Sequence, residues 1–360
     1  MSGEGDFFKT FIIAEAGVNH NGDIGMAIKL VDAAADAGAD AVKFQTFDPA
    51  ALTTPNTGKA IYQKASADDG ESQLDMLRRL TLPESAYQKL VERCGRRGIK
   101  FLSTPFDLKS LDFLVEQVGL NLLKLPSGAV THGPLLLAAS QTKLPIILST
   151  GMSTLDEIAL ALGVLAFGYA GGQKPNRASF TSFDRDVLTD KVHLLHCTTE
   201  YPAPTEETNL RAMDTIAEHF GLPVGFSDHT AGIHLSVAAA ARGAKIIEKH
   251  FTLDCGLPGP DHKASLAPEE LTEMIRAVRD VTRALGSGKK QPTISETRNI
   301  SIARYSIVAA KAIEAGEMLT ETNMAVKRPG EGLSPMRWWD QVGKIALHDL
   351  EKDDYIDAAD

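Results

Sequence analysis

The chain is 360 residues long, 43% hydrophobic and 23% charged, which is enough for one large core and a second, smaller one. A formal net charge of -10 argues against a nonspecific nucleic-acid binder, no apolar run approaches the ~20 residues of a membrane span, and the N-terminus lacks a basic-then-apolar leader. The expected partners are small molecules and the expected compartment is the cytoplasm, where the three scattered cysteines, Cys94, Cys197 and Cys255, read as reduced, buried filler.

From residue 11 to about residue 285, short β-branched or apolar runs alternate with longer helical patterns, as in a parallel sheet. Strands are expected near 11–16, 41–45, 100–103, 122–124, 145–149, 192–196, 223–227 and 244–250. Helices are expected near 24–37, 83–97, 108–117, 133–140, 154–167, 209–220, 232–241 and 268–285, two of them signalled by the capping-box pattern Ser153-Thr154-Leu155-Asp156-Glu157 and by Pro268-Glu269-Glu270. Eight such units fit a closed (β/α)8 barrel better than an open sheet. The polar stretch 50–82 is too long for an ordinary βα loop and reads as a lid or subunit contact, whereas 169–190 reads as a solvated excursion. The chain thus divides into a barrel over 1–285, a basic, glycine-rich linker over 286–299 and a small β-rich domain over 300–360. At roughly 60 residues that last domain is marginal alone, and it is expected to lean on the barrel or on a second subunit.

A barrel of this kind carries its active site at the C-terminal ends of the strands. Every expected strand brings something polar there: Glu15; Lys43 and Gln45; Thr104; Lys124 and Ser127; Ser149; His196 and Thr199; Ser227 and His229; Glu248 and His250. Residues two apart share a face, so Lys43 pairs with Gln45 and Glu248 with His250, while Lys249 faces outward. Two lysines and two carboxylates in one barrel mouth cost too much unless they bind ions or one another, which points to an anionic ligand and a metal. Lys43 and Lys124, the hydroxyls of Thr104, Ser127 and Ser149, and the turn Ser149-Thr150-Gly151-Met152 make the candidate anion site, with helix capping as the plainer reading of each hydroxyl.

The two histidines in Gly225-Phe226-Ser227-Asp228-His229-Thr230 and Ile246-Ile247-Glu248-Lys249-His250-Phe251 end successive strands and are the candidate ligands of a divalent metal with open coordination positions. The competing reading is structural: Asp228-His229-Thr230 could cap the seventh helix. His196 and His20 are weaker candidates. Asp261, in Leu257-Pro258-Gly259-Pro260-Asp261-His262, could lie over the mouth as a further carboxylate or sit in a plain turn.

Six segments in this order, Ile13-Ala14-Glu15-Ala16-Gly17-Val18-Asn19-His20-Asn21-Gly22, Ser103-Thr104-Pro105-Phe106, Leu148-Ser149-Thr150-Gly151-Met152, Leu195-His196-Cys197-Thr198, Ser227-Asp228-His229-Thr230 and Glu248-Lys249-His250-Phe251-Thr252, resemble the bacterial sialic acid (nonulosonate) synthases. Val326-Lys327-Arg328-Pro329-Gly330 extends the resemblance to that family's C-terminal antifreeze-like (SAF) domain. The resemblance implies condensation of phosphoenolpyruvate with an open-chain N-acetylated amino-hexose to a nine-carbon 2-keto acid and phosphate. It implies a manganese or magnesium ion on His229 and His250, and phosphoenolpyruvate held by Lys43, Thr104, Lys124, Ser127, Ser149 and Ser227. Glu15, Glu248, Asp261 and Tyr201 would face the sugar or assist proton transfer, and Arg328 would reach the partner's site in a domain-swapped homodimer. Two positions depart from the neuraminate-making pattern: Ala129 stands where a glutamate is usual and Thr199 where an asparagine is. Thr199, with its sequel Glu200-Tyr201-Pro202-Ala203-Pro204, and the lid segment Glu71-Ser72-Gln73-Leu74-Asp75-Met76-Leu77 look more like the legionaminate-type branch, whose sugar is a 6-deoxy-2,4-diacetamido hexose. The rival readings are an N-acetylneuraminate synthase, an enzyme acting on a phosphorylated aldose, a Schiff-base aldolase using Lys43 or Lys124, and a non-catalytic SAF-type binding protein.

Overall fold

The computed structural model describes residues 9–54, 72–181 and 186–357. Two compact units divide the chain, Met1–Gly286 and Ser287–Asp360.

In the first unit the strands are β1 (Phe11–Gly17), β2 (Ala41–Thr46), β3 (Lys100–Pro105), β4 (Leu123–Leu125), β5 (Ile146–Ser149), β6 (Val192–His196), β7 (Val224–Asp228) and β8 (Ile246–His250). All the ladders are parallel, in the order β3-β2-β1-β8-β7-β6-β5-β4. The two ends of that order, β3 and β4, lie against each other and complete the (β/α)8 barrel. Along each strand the side chains alternate between two burials. Outward residues such as Ile12, Val42, Leu148, Leu194 and Phe226 join the large core under the helices. Inward residues Ile13, Ala41, Leu102, Ile147, Leu195 and Ile246 form a separate apolar floor inside the barrel, with Phe11 and Leu122 packed against it. Gly225 completes this floor as bare backbone, because a Cβ there would come within 2.4 Å of Ile246 O and 2.8 Å of Leu195 Cδ2.

Local chemistry sets the helices. Asp23 accepts a bond from Met26 N at 2.6 Å and starts the helix Ile24–Asp36, which buries Ala27, Leu30, Val31 and Ala34 at helical spacing. Thr154 and Glu157 form a reciprocal capping box at the helix Leu155–Tyr169. The helix expected over 108–117 divides into an α-helical part, Leu108–Asp112, and a wider π-helical part, Phe113–Gln117.

Two expectations need correction, on 169–190 and on the linker, and the stretch 50–82 gains detail. The excursion over 169–190 is not simply solvated: it contains the helices Arg177–Thr181 and Asp186–Thr189, buries Leu188, and sets Phe180 edge-on to Phe167 with ring centroids 5.4 Å apart. The stretch 50–82 contains the helix Gln73–Leu80, whose Met76 and Leu80 cluster with Val18 and Phe47 against Leu77 and Phe106. Its part over 55–71, Glu71 included, lies outside the described residues. The residues read as linker carry the start of a helix, Ile294–Ala303, opened by a capping box between Thr293 and Glu296.

The second unit pairs β9 (Ser306–Ala309) antiparallel with β10 (Met324–Lys327), and single bridges such as Ile313 to Leu350 and Met318 to Ile345 tie further segments to one another. Its core is Ile307, Ala309, Ile313, Leu319, Met324, Ala346, Leu350 and Ile356. No helix among the described residues is long and apolar enough to cross a membrane.

Candidate active site

Two residues beyond the apolar floor, every barrel strand presents its next inward side chain: Glu15, Lys43, Thr104, Lys124, Ser149, Cys197, Ser227 and Glu248. All but Cys197 line one cavity of about 600 Å³ at the C-terminal mouth, which also takes in Gln45, Ser127, Thr199, Tyr201, His229, His250 and Asp261. The alternation that puts apolar side chains in the floor therefore puts the charged ones in the cavity.

The ionic groups compensate one another. Lys43 Nζ lies 2.6 Å from Glu15 Oε2 and 3.6 Å from Glu248 Oε2, and Lys124 Nζ lies 3.3 Å from Glu248 Oε1. Lys43 also donates to Thr104 Oγ1 at 3.0 Å, Ser227 Oγ donates to Glu248 Oε1 at 2.7 Å, and Gln45 Nε2 donates to Glu15 Oε1 at 3.3 Å. Burial alone would raise both carboxyls, but their outcomes differ. Glu15 is pushed up to about 7, because burial and the charge of Glu248 outweigh Lys43. Glu248 is held well below the carboxylate range, because Lys124, Lys43 and the Ser227 hydroxyl outweigh burial. The 2.6 Å contact to Lys43 belongs to Glu15, yet Glu248, held by two ammonium groups, is the carboxylate that keeps its charge. Burial also lowers Lys124, whereas for Lys43 it is overcome by Glu15 and Glu248, which raise the ammonium. With Glu15 protonated, two lysines face one ionised glutamate, and the layer carries a positive excess suited to an anion.

Ser127 and Gly151 form one wall. Gly151 N donates to Ser127 Oγ at 3.0 Å, and Ser127 Oγ lies 3.2 Å from Cys197 Sγ. A Cβ at Gly151 would sit 2.4 Å from Thr199 Oγ1 and 2.9 Å from Ser127 Oγ, so this wall is shaped around glycine. The Thr199 hydroxyl is buried without a hydrogen-bond partner among the described residues.

The two histidines meet where β7 and β8 end, with ring centroids 5.5 Å apart. His229 Nδ1 lies 2.6 Å from the carbonyl oxygen of Thr198, which fixes the proton on Nδ1 and leaves Nε2 with its lone pair. Nε2 lies 3.2 Å from Ser227 Oγ, but that hydroxyl's proton is committed to Glu248. His250 Nδ1 is buried without a hydrogen-bond partner among the described residues and lies 3.8 Å from Asp261 Oδ2. Burial lowers His229 to about 4 and His250 well below its usual value, so both rings are neutral at pH 7. Two neutral imidazoles with uncommitted nitrogens fit a divalent metal. Among the described residues no three His, Cys, Asp or Glu side chains group around one point, so water and substrate would have to supply the other ligands. Asp261 lines the cavity, and burial raises its carboxyl to about 6. The Tyr201 ring covers His229 at 4.2 Å between centroids.

The capping alternative for residues 228–230 is not what forms: the helix His234–Ala241 has no side-chain cap, and Asp228 Oδ1 instead accepts from Thr230 N at 2.9 Å. His196 points outward, its Nε2 2.7 Å from Thr208 O, and His20 is buried beside Phe44 with Nδ1 accepting from Gly22 N. Arg328 belongs to the second unit, where its guanidinium lies 5.0 Å from the Tyr305 ring centroid. The sequence reading passed over Cys197, which strand parity selects in preference to His196. It also missed an apolar wall of Val18, Phe47, Met76, Leu77, Leu80 and Phe106, signalled by the i, i+4 spacing of Met76 and Leu80.

A model of the NeuB family matches residues 30–290, and a SAF domain model matches residues 304–360. The chain belongs to the NeuB family. It is 47% identical over 348 residues to the N,N'-diacetyllegionaminic acid synthase of Campylobacter jejuni, covering 97% of this chain and 99% of that protein. To the N,N'-diacetyllegionaminic acid synthase of Legionella pneumophila it is 42% identical over 339 residues, 94% of this chain and 91% of that protein. Among solved structures, the N-acetylneuraminic acid (sialic acid) synthetase of Leptospira borgpetersenii, crystallised with citrate, gives a TM-score of 0.66 at 31% identity, covering 83% of this chain and 94% of that one. In this NeuB family member position 129 does not face the cavity: Ala129 is 2% exposed within the large core. Thr199, the other departure, lies on the cavity wall itself.

Proposed function

We propose that this protein condenses phosphoenolpyruvate with 2,4-diacetamido-2,4,6-trideoxymannose, giving N,N'-diacetyllegionaminic acid and phosphate. The observation that carries the reading is the inward polar layer, in which Lys43 and Lys124 face Glu15 and Glu248 beside two neutral histidines. Lys43, Lys124, Thr104, Ser127, Ser149 and Ser227 hold the phosphate and carboxylate of phosphoenolpyruvate, and Gln45 keeps Glu15 in place. When bound, a manganese or magnesium ion on His229 and His250 supplies Lewis-acid polarisation of the sugar aldehyde. The methylene carbon of phosphoenolpyruvate forms the new carbon–carbon bond at that aldehyde, and the aldehyde oxygen takes up a proton, for which Glu15 is the protonated group at hand. Water adds at C2 with loss of a proton, for which the ionised Glu248 is the base at hand. The carbon–oxygen bond to phosphate then breaks as the C2 hydroxyl gives up its proton to the departing phosphate, leaving the 2-keto acid. Tyr201, Thr199 and Asp261 face the sugar end.

The apolar wall favours the 6-deoxy, diacetylated sugar over N-acetylmannosamine, since methyl groups rather than a hydroxyl then meet Leu77, Met76 and Phe106. The assembly is a homodimer whose Arg328 serves the partner's site, and the cytoplasm, which holds phosphoenolpyruvate, is where it works. The test is phosphate release with each sugar in the presence of manganese, with the product weighed by mass spectrometry. Preference for the trideoxy sugar and loss of activity in chelator support the reading. Preference for N-acetylmannosamine makes it a neuraminate synthase, and release with neither sugar overturns the assignment.

A further inference from the structure

Each histidine of the pair has a charged neighbour on the far side of its strand. Asp228 precedes His229 and Lys249 precedes His250, and the two are direct partners in the β7–β8 ladder. They turn away from the cavity and meet behind it, Lys249 Nζ 3.2 Å from Asp228 Oδ2, with the side chains 1% and 0% exposed. Lys249 also donates to Thr230 O at 2.5 Å. Asp228 accepts from Thr230 N and Thr230 Oγ1 through Oδ1, at 2.9 and 2.7 Å, and from Ser236 Oγ through Oδ2 at 2.6 Å. The turn that carries His229 is thereby stitched to the strand that carries His250, on the side opposite the chemistry.

Stability is a poor reason for such a pair, because a buried ion pair pays much of its attraction back in desolvation and well-packed apolar residues often serve as well. What apolar residues cannot supply is direction: four hydrogen bonds on two side chains fix where the backbone of residues 228–230 sits relative to residue 249. The register then runs from rung to rung, with Ser227 bonded to Glu248 inside, Asp228 to Lys249 outside, and the two imidazoles inside again.

We infer that Lys249 and Asp228 are positioning residues that set the spacing of His229 and His250 for a shared divalent cation, an inference that rests on the reading of those histidines as its ligands. The test is Mn2+ affinity of the substrate-free protein, followed through the paramagnetic resonance of free Mn2+, alongside kcat, KM for phosphoenolpyruvate and the circular dichroism of each variant. Lys249→Met is expected to bind Mn2+ at least tenfold more weakly and to lose at least tenfold in kcat, with KM for phosphoenolpyruvate within twofold. Lys249→Arg, which keeps the charge, is expected to recover part of the affinity. A general packing defect would lower the melting temperature without separating kcat from KM and without rescue by arginine. A folded Lys249→Met protein that binds Mn2+ within twofold of the unmodified enzyme overturns the inference. Should that variant not fold, Ser236→Ala decides, since it removes one bond to Asp228; several-fold weaker Mn2+ binding supports the inference and unchanged binding overturns it. His250→Ala reports on the underlying reading separately: if it binds Mn2+ as well as the unmodified protein, or if neither binds, the two-histidine site fails and the inference with it.

Discussion

Glu15 and Glu248 both lie against Lys43, but they do not carry the same charge. Glu248 is reached by a second ammonium and by a hydroxyl donor, so it ionises first, and its charge then helps keep the proton on Glu15 up to about pH 7. The sign of the consequence follows: below pH 7 Glu15 is neutral, and above it a new anion appears 2.6 Å from the lysine expected to bind phosphoenolpyruvate. KM for phosphoenolpyruvate should therefore rise on the order of three- to tenfold between about pH 6 and pH 8.5, and Glu15→Gln should flatten that rise. Steady-state kinetics across the range check it, and a Glu15→Gln variant with the same rise would remove Glu15 as the cause. The identities of these residues were legible in the sequence because strand parity lines up Lys43 with Gln45 and Glu248 with His250. The division of the proton was not, since it depends on the reach of Lys124 and Ser227 across the barrel. Cys197 shows the opposite failure: the parity that would place it inward, two residues beyond Leu195, went unused because its residue type reads as filler.

At the scale of elements, the site is held by the floor beneath it. Gly225 lies in that floor, two residues before Ser227, where β7 passes so close to β8 that any side chain would strike the Ile246 carbonyl. Gly225→Ala is expected to cost about 1–3 kcal/mol of stability by overpacking. It should also lower kcat/KM in the fraction that folds, because β7 carries Ser227 and His229 with it. Urea unfolding and kinetics measured together check this; a variant of unchanged stability would mean that β7 and β8 part at no cost. The eight strands and their helices were legible because apolar runs with short spacers leave a parallel barrel few alternatives. The helix Ile294–Ala303 was passed over although Thr293 and Glu296 spell its capping box, because the Gly-Ser-Gly-Lys-Lys run just before it dominates the composition. The helix Gln73–Leu80 was hidden for a related reason: its apolar positions, Met76 and Leu80, are sparse within a polar segment, and it is the cavity that gives them a surface to cover.

At the scale of the molecule, the second unit leaves several large apolar side chains exposed. Met336 is 82% exposed, Trp339 73% and Leu347 69%, while the helix Ile294–Ala303 buries none of its residues and leaves Ile294 and Ile302 open. If the proposed homodimer with shared sites forms, a second copy of the chain would cover part of this surface, and Arg328 supplies the means to test it. His250→Ala removes a group from the barrel cavity, and Arg328→Ala removes one from the C-terminal unit, so each variant alone should be nearly inactive. If each active site takes its barrel groups from one subunit and its arginine from the other, a mixed dimer of the two variants contains one site with both defects and one with neither. Equal co-expression should then restore roughly a quarter of the unmodified activity, since half of the dimers are mixed and each has one intact site. If Arg328 serves the barrel of its own chain, every site in a mixed dimer is damaged and co-expression restores nothing. Light scattering on the purified mixture separates that outcome from a failure to dimerise.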